Sequence, residues 1–281
     1  MLQVALVGCG AMGRRHAATV ARDPGSRLAV AVDLVEDRAA AVARRYGAVA
    51  SSTVPSQIDV AIVATPTDCH AQIAAPLLAR GVACLVEKPL GPSVEVARGL
   101  ADRRCFVGHV ERFNPALIQA GPLSPRVVVG RRVAPPAGRS ADIDVVLDLM
   151  IHDLDLLLLW GGDEAWSVVD AHGLADTATV RLRSSGGRTA SLLASRVADV
   201  RERVLHCYSP GRFTQLDLVA GTCHHVPARR RHELNGRDAL GRQWAAFCRT
   251  VDGRGGPSAA SSEAGLRAVQ LAEQIREVLH K

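Results

Sequence analysis

The sequence predicts an α/β protein in two parts: a doubly wound parallel sheet over residues 1–111, then an α+β part over 112–281 with a mainly antiparallel sheet. Three observations predict it. The first part alternates apolar strand-like runs with helical patterns, the βαβ rhythm of a parallel sheet with right-handed crossovers. Beyond residue 111, short alternating runs recur at close spacing with turn signals between them, as in an antiparallel sheet. The length, 281 residues, suits one large or two modest domains.

Taken in order, residues 3–8 read as a strand and 11–22 as a helix stopped by Asp23-Pro24-Gly25. A second strand over 28–33 and a second helix over 36–45 follow. Residues 58–64 (IDVAIVA) form a continuous apolar run, as expected of a strand buried on both faces. Residues 70–80 are helical with Gly81 as the stop, 82–86 a strand, 94–102 a short helix and 105–108 a last strand. The second part opens with a helix over 112–120, closed by Gly121-Pro122, and a strand over 126–133. A loop holding Pro135-Pro136-Ala137-Gly138 leads to a long helix over 145–160. Strands follow at 166–171, 178–182, 189–194, 204–208 and 213–218, and helices at 239–251 and 262–280, joined by a loop over 253–262.

Composition narrows the function classes. Hydrophobic residues make up 48% and charged residues 22%, an ordinary soluble balance that speaks against disorder. No apolar run approaches the roughly 18 residues of a membrane helix, and the greasiest stretch, 154–160, is interrupted by Asp155. The start, MLQVALVGCG, lacks the basic region and cleavage site of a secretory signal. Seven cysteines (9, 69, 84, 105, 207, 223, 248) are scattered, odd in number and never C-x-x-C, which speaks against a disulfide framework or zinc site and fits a reducing cytoplasm. A net charge of +6 and a pI of 9.2 raise the question of nucleic acid. The one dense basic run is Arg229-Arg230-Arg231, however, and aromatics at 3% are too few for a stacking platform, so that run reads as a solvated loop.

The charge is nearly all arginine. Of 34 basic residues, only Lys88 and Lys281 are lysines. Arginine is a planar fork that does not lose its proton, whereas lysine is a compact ammonium whose pKa moves with burial. A lone internal lysine in so arginine-rich a chain marks Lys88 as a place where a small donor or proton carrier is needed.

Gly8-Cys9-Gly10-Ala11-Met12-Gly13 is G-x-G-x-x-G between the first strand and first helix. Gly8 permits the tight turn, Gly10 lets a pyrophosphate approach the backbone, Gly13 allows close packing, and the helix N-terminus around Ala11 and Met12 offers amides to phosphate. Asp33 ends the second strand twenty residues after Gly13, where an acid accepts the ribose hydroxyls of an adenosine. This register predicts a Rossmann dinucleotide site. Asp33 would repel a 2′-phosphate and Leu34 and Val35 supply no arginine to hold one, so NAD is expected over NADP. Asp148 and His152 stand at i and i+4 on one helix, where a carboxylate can orient an imidazole acting as a base. Asp153 and Asp155 lie close by, but no second histidine sits at ligand spacing, and no metal is expected.

Four motifs occur in order: Gly8 to Gly13, Ala64-Thr65-Pro66 with His70 opening the next helix, Glu87-Lys88-Pro89, and Asp148-x-x-x-His152. Together they resemble the Gfo/Idh/MocA oxidoreductases. The resemblance implies cofactor contacts at Gly8, Gly10, Ala11, Met12, Gly13, Asp33, Thr65, Pro66, His70, Glu87 and Lys88, and a catalytic set of Lys88, Asp148 and His152. A narrower likeness runs through Val107-Gly108-His109-Val110-Glu111-Arg112-Phe113-Asn114-Pro115, the segment from Asp142 to Asp153, and Ala194-Ser195-Arg196-Val197. It is similar to the branch of UDP-N-acetylglucosamine 3-dehydrogenases, implying oxidation of the sugar C3 hydroxyl to the ketone. The stretch between Lys88 and Cys105, and residues 222–237, are short for the family.

Arg112 and Asn114 are expected either to touch substrate or to make helix-start hydrogen bonds. Arg196 either meets a pyrophosphate or projects from its strand. Cys9 reads as a small side chain in the turn. The alternatives carried forward are a dehydrogenase of inositol or another free sugar, and a non-catalytic NAD-binding sensor. The outer face of the antiparallel sheet is expected to meet a second subunit in a homodimer or homotetramer. Nucleic acid and membrane are not expected as partners.

Overall fold

The structure, a computed structural model, describes residues 1–136, 143–228, 238–256 and 259–280. The Arg229 to Arg231 run, Ala137, Gly138, Asp142 and Lys281 lie outside the described residues. The chain forms two compact units, one of Met1–His109 with Leu240–Leu266 and one of Val110–Ala239 with Arg267–Lys281. A single cut at residue 111 thus gives way to a chain that returns to its first unit.

The first unit runs β1 (Leu2–Val7), α1 (Ala11–Ala21), β2 (Ser26–Val32), α2 (Glu36–Tyr46), β3 (Val49–Ser51), β4 (Val60–Val63), α3 (His70–Ala79), β5 (Ala83–Val86), α4 (Val94–Arg98) and β6 (Cys105–Val107). The strands β4, β5 and β6 are buried at every position, as continuous apolar runs require of a sheet covered on both faces. α2 carries Glu36 and Asp37 in its first turn, Arg44 and Arg45 in its last, and stops at left-handed Gly47, so its charges complement its dipole. The strand order is β3-β2-β1-β4-β5-β6, all parallel, with β1 between β2 and β4. The order reverses between β1 and β4, which is where ligands bind in open α/β sheets. β3 escapes sequence reading because it is three mostly exposed residues that take their structure from β2. The helix 94–102 is shorter than expected and ends at Arg98.

The second unit runs α5 (Pro115–Ala120), β7 (Val127–Val133), α6 (Ile151–Gly161), β8 (Trp166–Leu174), β9 (Thr177–Ser184), β10 (Thr189–Ser195), β11 (Glu202–Ser209), β12 (Arg212–Asp217) and β13 (Thr222–Val226). The chain continues with α7 (Ala239–Val251), β14 (Ala260–Ser261) and α8 (Ser262–Leu279). α7 belongs to the first unit because its aromatics dock there. The Trp244 indole donates to Asp23 and Ser26, both at 3.2 Å, and Phe247 packs edge-on against Phe106 at 5.5 Å. β14 pairs antiparallel with β6.

The second sheet has the order β13-β12-β11-β7-β10-β9-β8. Every pairing is antiparallel except β7 with β10, which is parallel. Residues alternate as its one buried face demands: Ala178, Val180 and Leu182 are buried, while Thr179, Arg181 and Arg183 are exposed. A Cβ at Gly130 in β7 would come within 2.7 Å of a Leu192 methyl and 2.8 Å of a Leu205 methyl, so both side chains would have to shift to admit it. The helix expected over 112–120 is broken. Val110–Phe113 is a 3₁₀ turn, and Asn114 then caps α5. The long helix expected over 145–160 begins as a π-helical stretch, Val146–Met150, before α6.

Candidate active site

In the first unit the site is built largely from backbone. Gly8 ends β1 at φ +93°, and a Cβ there would lie 2.5 Å from the Ala64 carbonyl oxygen beyond β4. Gly13 is tighter still, because its Cβ would stand 1.8 Å from the Gly8 carbonyl oxygen. Gly10 is the opposite case: a Cβ would meet nothing within 4 Å, so this stretch of backbone faces open space. α1 begins there with no side-chain cap and no acid in its first turn. No side chain competes for the leading N–H groups, including those of Ala11 and Met12, and a diphosphate fits them.

Asp33 follows β2 and ties the turn down. Its Oδ2 accepts the Cys9 N–H at 2.7 Å and its Oδ1 accepts that of Val35 at 2.9 Å. It remains half-buried, with Leu34 98% exposed beside it. Cys9 is a small buried filler, as expected; burial and the Asp33 carboxylate, against Arg14, push its thiol up to about 11. Open backbone at Gly10, an uncapped helix start and an acid after the second strand together fit a dinucleotide.

Two loops complete this side. His70, only 1% exposed, sets Nδ1 3.0 Å from the Pro89 carbonyl and Nε2 3.1 Å from that of Thr65. It joins the Thr65-Pro66 loop after β4 to the Lys88-Pro89 loop after β5. Burial holds its pKa below the ordinary 6.5, against the opposing carbonyls and Glu87. Its role in the fold is that of a strut. Glu87 is buried, with Oε1 2.8 Å from His16 Nε2 and Oε2 accepting the Lys88 N–H at 3.3 Å. Burial alone would raise the Glu87 carboxyl, but the His16 hydrogen bond and the His16, Lys88 and His70 charges outweigh it and hold it low. Lys88 itself is half-buried.

In the second unit, Asp148 lies in the π-helical stretch and His152 in the first turn of α6, with His152 9% exposed. A π-segment often marks a functional position in a helix. Asp144 anchors it, accepting the Val146 and Leu147 N–H groups at 2.9 and 3.1 Å. Arg196 does not simply project from its strand. It donates to Asp176 at 2.5 Å and to the Ile143 carbonyl at 2.7 Å, and stands 3.7 Å from Asp148 Oδ2.

The acids after His152 are engaged by arginine. Asp153 receives a two-pronged contact from Arg132 of β7, at 3.0 and 2.7 Å. Arg132 also donates to Glu111 at 2.9 Å, and Arg203 reaches the same Glu111 oxygen at 3.1 Å. Burial would raise Glu111, but Arg132 and Arg203, with Asn114, hold it below its ordinary range. Arg112 grips Asp155 with two bonds, 2.8 and 2.6 Å. Asn114 is spent in the fold: its amide donates to Glu111 at 2.8 Å and to the Leu218 carbonyl at 2.9 Å, while its oxygen caps α5 through Ala116 N–H at 3.0 Å. Sequence reading missed this network and the His16–Glu87 pair. Arginine at Arg132, an inward-facing position of an otherwise apolar strand face, was the signal for the former.

Comparison with known proteins identifies the family. The family model described as an oxidoreductase family with an NAD-binding Rossmann fold matches residues 2–104. The UDP-N-acetylglucosamine 3-dehydrogenase of Acidithiobacillus ferrooxidans is 34% identical over 98% of this chain and 96% of its own. Its solved structure superposes with a TM-score of 0.89, covering 99% of this chain and 97% of that one. The scyllo-inositol 2-dehydrogenase (NAD(+)) of Bacillus subtilis is 26% identical over 80% of this chain and 75% of its own. A myo-inositol dehydrogenase structure from Corynebacterium glutamicum, 22% identical with a TM-score of 0.79 over 100% of this chain and 97% of that one, shares the fold. The chain belongs to the Gfo/Idh/MocA oxidoreductase family and is an NAD-binding oxidoreductase. No helix among the described residues is long and apolar enough to cross a membrane.

Proposed function

We propose that this protein oxidises the C3 hydroxyl of UDP-N-acetylglucosamine, with NAD as hydride acceptor, to the 3-keto nucleotide sugar. The observation that carries the reading is the likeness, over nearly the full length of both chains, to the 3-dehydrogenase of A. ferrooxidans at 34% identity. Bound NAD supplies the acceptor carbon, C4 of its nicotinamide. The first-turn amides of α1 hold its diphosphate and Asp33 accepts its adenosine ribose hydroxyls. Thr65, Pro66, His70 and Glu87 shape the adjoining loops.

His152 takes the proton from the sugar hydroxyl, and Asp148, itself held near Arg196, stabilises the imidazolium. Lys88 hydrogen-bonds the reacting oxygen and shares the proton transfer, a task suited to a compact ammonium. Arg112 is assigned to substrate through donors beyond the two it spends on Asp155. Asn114 is not, because its amide is already committed.

The subunits assemble through the outer face of the second sheet, which exposes Val127, Val129 and Tyr208, and the enzyme works in the cytoplasm. Light scattering at micromolar concentration should report a dimer or tetramer; a 29.7 kDa particle refutes the assembly. The activity test is NADH fluorescence with purified protein against UDP-sugars and free polyols. Turnover on UDP-N-acetylglucosamine is expected. Turnover confined to inositol or another free sugar overturns the substrate, and none with any alcohol favours a sensor.

A further inference from the structure

Lys88 sits in a loop held from both sides by buried histidines. On one side His70 lies between the carbonyls of Pro89 and Thr65, with its ring nitrogens 3.0 and 3.1 Å from them. On the other, His16 of α1, 1% exposed, meets Glu87 at 2.8 Å, and Glu87 in turn accepts the Lys88 N–H. The space for Glu87 is made by Gly108, whose Cβ would approach all three carboxyl-group atoms to 3.1–3.2 Å. Gly108 is fixed by its own N–H to the Val86 carbonyl at 2.7 Å. His16 lies three residues after Gly13, in the helix whose start forms the diphosphate cradle. A buried ionised carboxylate is costly unless paired and hydrogen-bonded, and here its partners are this histidine and the backbone of the lysine.

We infer that His16 is a positioning residue for Lys88, acting through Glu87, and that the pair sets the lysine loop in register with the helix that carries the cofactor turn. The inference rests on the reading of Lys88 as a reacting group. It does not place His16 against cofactor or substrate. The groups facing Glu87 are His16 from α1, His70 from α3, and Lys88 on its own loop.

The chain permits a direct test, because Lys88 and Lys281 are its only lysines. Protein labelled with ¹³C at lysine Cε gives two resonances, and Lys281→Arg assigns them. In His16→Ala the Lys88 resonance should shift or broaden while that of Lys281 stays. NAD affinity by titration calorimetry should remain within about threefold, since the glycine turn and Asp33 are untouched. Turnover should fall about tenfold, less than the roughly hundredfold of a 1 Å misplacement. His16→Gln, which keeps an N–H donor, should recover most of both signals, and Glu87→Gln should reproduce the loss if His16→Ala does not fold. An unmoved Lys88 resonance with native turnover, or a loss confined to NAD affinity, overturns the inference. Near-native turnover in Lys88→Arg would instead overturn the catalytic reading of the lysine, while the resonance still reports whether His16 positions it.

Discussion

The glycine turn of the first unit and the α6 region of the second solve the same problem, holding a reactive geometry still, by opposite means. At the turn the decisive side chains are absent ones. Gly8 and Gly13 leave no room for a Cβ, Gly10 leaves a surface bare, and Asp33 ties the turn down by accepting one backbone N–H at each carboxylate oxygen. Around α6 the precision comes from large charged groups taken out of water. Arg132, 1% exposed, and Arg112 lock the two acids that follow His152, and Arg196 braces the stretch that carries Asp148. Backbone geometry is local and adds little desolvation. Buried ion pairs are long-range and depend on every partner being present, since a lone buried charge is heavily penalised.

The sharpest way to break the comparison is to remove one arginine. Arg132→Met should leave Asp153 and Glu111 buried without their main partner and destabilise the protein by about 3–5 kcal/mol, read by urea unfolding. A cost below about 1 kcal/mol would mean the network is dispensable. Glu111 carries a pH signature of the same network. Its folded pKa lies below the ordinary carboxylate range, so its contribution is complete above that range and is lost as pH falls through the lowered value. Arg132→Met should shrink this acid-side loss, visible as a flatter dependence of the urea midpoint on pH.

Next in size is Lys88→Arg. The wider guanidinium should displace the reacting oxygen and lower turnover by roughly a hundredfold while calorimetry shows NAD binding retained. Native kcat and KM would reduce the lysine to an ordinary cation. On the backbone side, Gly13→Ala should be costly despite adding one methyl, by at least about 1–3 kcal/mol of overpacking, with loss of NAD binding. Gly10→Ala, which meets no atom of the protein, should keep native stability and weaken only NAD. Equal effects at the two glycines would contradict the distinction between a packed and a binding glycine. The smallest effect is expected of Asp33→Ala, which should narrow the preference for NAD over NADP by about tenfold, the worth of a hydrogen bond to a charged group. Tighter NADP binding to the intact protein would remove the basis for that preference.

The same contrast explains what the sequence made legible. The glycine turn, Asp33 and the buried β4 were readable because each is written in neighbouring residues through a strict local period. Lys88 stood out through composition alone. Asp148 and His152 were legible as two polar positions on one helical run, but the π-helical start that carries Asp148 was not, since nothing in the Val146–Met150 run distinguishes the two hydrogen-bond patterns. The partners of Asp153 and Glu111 were hidden because Arg132 lies 21 residues from each and Arg203 lies 92 from Glu111. In a chain with arginine nearly everywhere, no spacing rule selects those two. The short strands β3, β13 and β14 and the docking of α7 on the first unit are likewise set by tertiary neighbours.

The central claim, that this chain moves a hydride from C3 of UDP-N-acetylglucosamine to NAD, is tested most directly by isotope transfer. UDP-N-acetylglucosamine carrying deuterium at C3 is incubated with the enzyme and NAD⁺, and the reduced cofactor is analysed by mass spectrometry and proton NMR. The account predicts one deuterium at nicotinamide C4 for each 3-keto product, and loss of that transfer in His152→Ala. Reduced cofactor free of deuterium, or no reduction with this sugar alongside robust reduction with a free polyol, would contradict it.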